Sequence, residues 1–364
     1  MNKLKERLSE LLMHAGNGEK KRLSSCLLYC FLYLLSKLYF SIIIWNPLRK
    51  KKKLSCPVIS VGNIVLGGTG KTPFVEMLAH MLKDRGRKPA VLSRGYGRKP
   101  TKTTAAFGVV SDGKKILIGQ EESGDEPHLL AKNLPGVVVI VGKNRFLTGN
   151  IAIRKYGCDM VILDDGYQYW SLYRNPDIVL INARCPFGNG HLMPRGSLRE
   201  PKSSLKRASL FLLTHTDESP DIQALRKELK SINPDTPIIE GTHSAMHLEN
   251  IATGKTFGLT FLAGKDVFAL SSIGCPESFE KQLKGLGANI KASLHFPDHH
   301  RYSSTDLNKV LLLSQKEETE MIVTTQKDAM RLEKISGKTD IFVLVIEFKI
   351  IRGKVTLEKT LNWT

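Results

Sequence analysis

A doubly wound, mostly parallel α/β sheet is predicted by three observations. A glycine-rich loop ending Gly70-Lys-Thr72 follows the apolar run Pro57–Gly62 and precedes a helical pattern from Pro73. Short continuous apolar runs then alternate with helical stretches as far as Leu213. The same rhythm returns on a smaller scale from Asp266 to about Asp340, with no second glycine loop. The chain divides accordingly into an anchoring segment (1–47), a P-loop domain (48–235), a ribbon-like connector (236–263) and a smaller α/β domain with the C-terminal strands (264–364).

The anchoring segment is marked by its charge. The net charge of the chain is +19, and residues 1–53 hold twelve Lys/Arg against Glu6, Glu10 and Glu19. Leu4, Leu8, Leu11 and Leu12 share one face of a basic amphipathic helix over residues 3–14. Cys26 to Trp45 then carries one charge, Lys37, over a length that as a helix matches the hydrocarbon thickness of a bilayer. Tyr33, Lys37 and Ser41 make a polar stripe along it, and basic clusters flank both ends. Two readings follow: a helix that spans or lies in a membrane, which the flanks favour, and a buried helix of a soluble domain. Charge interleaved with Leu, Tyr and Phe, without a recognisable module, speaks against nucleic acid. The six cysteines form no Cys-x-x-Cys pair, which suits a reducing compartment and argues against structural zinc.

From Pro57 the elements follow in order. Helix 73–83 is expected to carry Pro73 at its first position. Strands are expected at Pro89–Ser93, Gly136–Val141, Met160–Leu163, Asp177–Ile181 and Ala208–Leu213, with helices opening near Gly124 and Asn144. Gly241, Gly254 and Gly258 interrupt short β-like pieces in the connector. Strands at Val267–Ser271, Asn289–Leu294 and Met321–Val323 alternate with helices from Pro276 and Ser304.

Ligands of such sheets sit at the carboxyl ends of strands, where the unusual residues fall. The glycine loop is a phosphate cradle: Val65, Leu66, Gly67, Gly68, Thr69, Gly70, Lys71 and Thr72 would surround a nucleotide's phosphates. Lys71 would reach the β/γ-phosphates, and Thr72 would offer its hydroxyl to Mg²⁺. Val65 stands where the usual pattern has glycine. Asp164 and Asp165 end an apolar strand as a metal-holding carboxylate does, although Asp-Gly is also a turn dipeptide. Asp125 and Glu126 open a helix, and on position alone N-terminal capping is the simpler account. Asp298-His299-His300 fits an orienting or catalytic histidine, a metal ligand or a plain loop.

Taken in order, Gly62-Asn-Ile-Val-Leu-Gly-Gly-Thr-Gly-Lys-Thr-Pro73, Ser93-Arg-Gly-Tyr-Gly97, Gly124-Asp-Glu-Pro127, Asp164-Asp-Gly-Tyr-Gln168, Leu198-Arg-Glu-Pro201, Asp298-His-His-Arg-Tyr302 and Lys327-Asp328 resemble the tetraacyldisaccharide 4′-kinase family. The resemblance spans about residues 56–335, and that family also lacks glycine at the Val65 position. Tyr169 departs from it, since many members have His there. The resemblance implies ATP and Mg²⁺ as cofactors and γ-phosphoryl transfer to the 4′-hydroxyl of an acylated glucosamine disaccharide 1-phosphate, giving lipid IVA. It implies Asp125 as the base, with His299 supporting or sharing that role. Arg94, Tyr96, Arg98, Arg145, Gln168, Arg199 and Glu200 are the substrate-side candidates. The expected location is the cytoplasmic face of the inner membrane, through the N-terminal segment, with no protein partner implied. The competing reading is a membrane-bound P-loop ATPase or GTPase that switches a partner protein.

Overall fold

Apolar runs without a polar alternation need cover on both faces, and the fold supplies it with helices on either side of a sheet. The computed structural model describes residues 23–45, 51–298, 300–332 and 340–361. Its strands are β1 (Val58–Gly62), β2 (Pro89–Ser93), β3 (Phe107–Asp112), β4 (Val138–Gly142), β5 (Met160–Asp164), β6 (Asp177–Asn182), β7 (Leu210–Thr214), β8 (Ile238–Asn250), β9 (Thr256–Phe257), β10 (Asp266–Ser271), β11 (Asn289–His295), β12 (Met321–Thr325) and β13 (Ile341–Arg352). The α-helices longer than one turn are α1 (Leu23–Trp45), α2 (Lys71–Asp84), α3 (Asp125–Asn133), α4 (Arg145–Tyr156), α5 (Ile222–Ile232), α6 (Pro276–Gly285), α7 (Ser304–Lys316), α8 (Gln326–Leu332) and α9 (Lys354–Leu361), with a single turn at Gln120–Ser123 before α3.

All thirteen strands join one sheet, in the order β11-β10-β12-β13-β8-β7-β6-β1-β5-β2-β4-β3, with β9 beside β8. Pairing is parallel except at β3/β4, β8/β13 and β8/β9. β1, β2, β4, β5 and β7 are buried at every position. α2 covers them with Phe74, Val75, Leu78, Ala79 and Leu82, a helical stripe with no accessible surface. A separate core around Leu262, Val267, Phe279, Leu283 and Val323 fills the second half. The chain end returns to the first half, where Phe348, Leu357 and Leu361 join the core under α2.

Between the halves, β8 pairs with β7 at one end and with β13 along most of its length. It runs unbroken through Gly241, where the sequence suggests an interruption. A Cβ at Gly241 would lie 2.3 Å from the Phe348 ring, so the glycine admits a close approach rather than ending the strand. Pro73 is the third residue of α2, not the first. The first turn of a helix has no intrahelical N–H partners to lose, so a proline is tolerated there.

α1 lies against the first half. The Ser36 hydroxyl donates to the Leu192 carbonyl (3.0 Å), and the Tyr39 hydroxyl donates to the Arg199 carbonyl (2.9 Å). Phe31, Leu34, Leu38 and Ile42, at helical spacing, are exposed on another face. Among the described residues no helix is long and apolar enough to cross a membrane. Serines, tyrosines and Lys37 dilute the apolar run, and two of them are occupied in docking the helix. The amphipathic pattern at residues 3–14 lies outside the described residues.

Candidate active site

The phosphate loop leaves β1 at Gly62 and enters α2 at Lys71. Asn63 is buried beneath it and braces it three ways. Its amide donates to Thr69 Oγ1 (3.0 Å), its Oδ1 accepts from Arg199 (3.3 Å), and its backbone carbonyl accepts from Gln168 (2.8 Å). Gly70 adopts φ +81°, and a Cβ there would stand 2.5 Å from Nε2 of His243 on β8. Conformation and space therefore both select glycine. Burial, with the charge of neighbouring His215, holds the His243 imidazole down at about 4. Gly67 to Thr72 face a cavity of about 550 Å³. Val65 instead bridges Leu198, and Leu66 is exposed while its N–H donates to the Ser197 carbonyl (2.7 Å).

Strand register carries the carboxylates to the same end. Val61 pairs with Asp164, and the next strand ends at Ser93, whose hydroxyl donates to Asp164 Oδ2 (3.0 Å). Asp164 is buried and has no ion-pair partner among the described residues. Burial, reinforced by the negative charges of Glu126 and Asp165, raises its carboxyl well above the usual carboxylate range. Its neighbour differs. Asp165 turns out of the strand at φ +53° and accepts from Arg199 (2.7 Å), with the Lys71 ammonium 3.7 Å away. Burial would raise Asp165, but Lys71 and Arg199 outweigh it and lower it. A buried carboxylate with no ion-pair partner among the described residues is donor chemistry that Mg²⁺ takes.

Asp125 is the first residue of α3, behind the N-cap Gly124. Its side chain accepts from Gln120 (2.9 Å) and, through Oδ2, from both Nε (2.9 Å) and Nη2 (2.7 Å) of Arg331 on α8. Beyond a place in the first helical turn, the residue thus has a charged partner on a distant helix. Next to it, the Lys327 ammonium bridges Glu126 (3.3 Å) and Asp298 (3.4 Å). Ion pairs from Lys327 and Arg331 therefore tie the second half to the first at this edge. His299 lies outside the described residues.

The remaining candidates do not line the cavity. Arg94 and Tyr96 are exposed beyond the end of β2. Arg98 donates to the Ala105 carbonyl (3.0 Å). Arg145 is buried, with its guanidinium 5.2 Å over the ring of Tyr169, whose hydroxyl accepts from the Arg145 N–H (3.0 Å). The residue that departs from the family pattern thus seats an arginine. Glu200 is buried, and both of its oxygens accept from Arg207 (2.7 and 2.9 Å), which stacks on Tyr167 and Trp170. Sequence reasoning missed Arg331, His243, His215 and Glu76. Only Arg331 had a signal, one helical turn beyond Lys327 in a quoted motif. Glu76 lines the cavity, and burial pushes it up to about 7 against a hydrogen bond from Asn133.

Strand, glycine loop, helix and adjacent strand-end carboxylate define a P-loop nucleotide-binding protein of the α/β class. A family model described as LpxK, tetraacyldisaccharide-1-P 4′-kinase, matches residues 28–363. A tetraacyldisaccharide 4′-kinase of Syntrophus aciditrophicus is 44% identical over 295 residues, covering 79% of this chain and 78% of that protein. One from Halothermothrix orenii is 36% identical over 357 residues, covering 92% and 90%. The crystal structure of LpxK from Aquifex aeolicus in complex with ATP superposes with a TM-score of 0.72 at 33% identity, covering 92% of this chain and 98% of that one. The chain belongs to the tetraacyldisaccharide 4′-kinase family, and its activity is that of a tetraacyldisaccharide 4′-kinase in lipid A biosynthesis.

Proposed function

We propose that this protein transfers the γ-phosphoryl group of ATP to the 4′-hydroxyl of a tetraacylated glucosamine disaccharide 1-phosphate, yielding lipid IVA. The observation that carries the reading is the 550 Å³ cavity between the halves, floored by Gly67–Thr72 and edged by Glu126 and Lys327, next to Asp125. Its volume suits a nucleotide. In this reading the loop N–H groups and the α2 N-terminus hold the phosphates, and Lys71 offsets charge on the transferring group. Thr72 and Asp164 would hold Mg²⁺, and Asp165 would orient Lys71 and Arg199. The chemistry Mg²⁺ supplies when bound is neutralisation of β- and γ-phosphate charge. Asp125 accepts the proton of the attacking hydroxyl, with His299 in support.

The lipid side is supported by α1. Its exposed Phe31, Leu34, Leu38 and Ile42 suit an in-plane seat on the membrane, at the cytoplasmic face. Tyr39 touches Arg199, and Arg199 touches Asp165 beside Lys71. The apolar face is therefore connected to the phosphate loop through very few residues. Mass spectrometry of the product made from ATP and a defined acceptor tests the reading, with an acceptor one phosphate heavier expected. ATP hydrolysis without a phosphorylated lipid would overturn it in favour of a nucleotide switch.

A further inference from the structure

Arg331 is a charged group buried at the seam of the two halves, and no motif reading assigns it a task. Its surroundings are built. Asp328, three residues earlier on α8, is fully buried and lies 3.7 Å from the guanidinium. The Asp328 carboxylate accepts from the Ser272 N–H (3.0 Å), the Thr325 hydroxyl (2.7 Å) and the Tyr302 hydroxyl (3.2 Å), and the Ser272 hydroxyl also contacts it. Neutral donors from three segments thus hold the anion that holds the arginine. The guanidinium then divides its N–H groups. Nη1 donates to the Ser272 hydroxyl (3.0 Å) and the His300 carbonyl (3.4 Å), while Nε and Nη2 both reach Oδ2 of Asp125.

We propose that Arg331 is a positioning residue for phosphoryl transfer: it fixes the Asp125 carboxylate while the same guanidinium holds the His300 carbonyl. Two donors of the planar guanidinium converge on Oδ2 while Gln120 holds Oδ1, so both carboxylate oxygens are fixed. Asp125 rides on the first half, whereas Arg331 and His300 ride on the second. The same guanidinium therefore completes the base's environment only when the halves meet, and a displaced base loses rate steeply. This inference rests on Asp125 being the base.

The test uses the full chain, with kcat and KM measured for ATP and for the lipid acceptor. The variants are Arg331→Gln, Arg331→Lys, Asp125→Asn and the Arg331→Gln/Asp125→Asn double. Arg331→Gln is expected to lower kcat on the order of 10²-fold, with KM for ATP little changed. Arg331→Lys should recover part of the rate, and the double should be scarcely slower than Asp125→Asn. Added guanidinium should raise kcat of Arg331→Gln and not of wild type. If Arg331→Gln fails to fold, Arg331→Lys carries the same kcat-against-KM comparison. Wild-type kcat in Arg331→Gln, or losses additive with Asp125→Asn, would overturn the role of Arg331 while leaving the base in place. A near-normal Asp125→Asn enzyme would instead remove the base itself.

Discussion

Replacing His243 with glutamine isolates one titration under the phosphate loop. The ring sits between Gly70, Phe348 and His215, with centroids 5.4 Å from Phe348 and 5.6 Å from His215. Its folded value is about 4, against 6.5 for a free imidazole. Between those values the unfolded chain binds a proton that the folded chain refuses. Stability therefore rises with pH across this window and is lost as pH falls through it. A displacement of about 2.5 pKa units at 1.36 kcal/mol each is about 3 kcal/mol. One edge of the ring lines the cavity, where water solvates a charged form, so about 2 kcal/mol is the working figure. The assay is urea unfolding at pH 7.5, 6 and 4, followed by far-UV circular dichroism. Wild type should lose about 2 kcal/mol more than His243→Gln between pH 7.5 and pH 4. Parallel losses in the two proteins would refute the assignment of acid sensitivity to this ring.

Three further outcomes are expected. Lys71→Ala should abolish phosphoryl transfer in a folded protein, since little but positioning and charge drives that step; near-normal kcat would contradict it. Asp164→Asn should raise the Mg²⁺ concentration needed for half-maximal rate more than Asp165→Asn does, because Asp165 is already engaged by Arg199 and Lys71; the reverse order in a Mg²⁺ titration would exchange their roles. Arg207→Met should destabilise by about 3–5 kcal/mol by stranding the buried Glu200; an unchanged unfolding midpoint would show that Glu200 does not depend on it.

The parallel core of the fold was legible because its strands are continuous apolar runs, and β5 ending at Asp164 needed nothing beyond the chain itself. β3 was not, since it is an antiparallel edge with alternating half-buried positions among Thr and Lys. β8 was read as fragments because Gly241 signals a break until the Phe348 ring lies against it. The phosphate loop was legible as a local pattern, whereas Arg331 meets Asp125 across 206 positions of chain and leaves no local mark. Arg199 and Glu200 adjoin in sequence but face different partners, Asp165 and Arg207, which only the fold distinguishes.

The β8/β13 pairing also governs how the molecule can be cut. The two strands share ten register positions, and α9 beyond β13 returns Leu357 and Leu361 to the core under α2. A fragment ending near residue 263 would keep β8 as a long edge without β13 and lose Phe348, Leu357 and Leu361 from its own interior. Bare edges of that length recruit other chains. Expressing the halves separately should thus give self-associating fragments, and a nick in an exposed loop elsewhere should be better tolerated than one between β9 and β10.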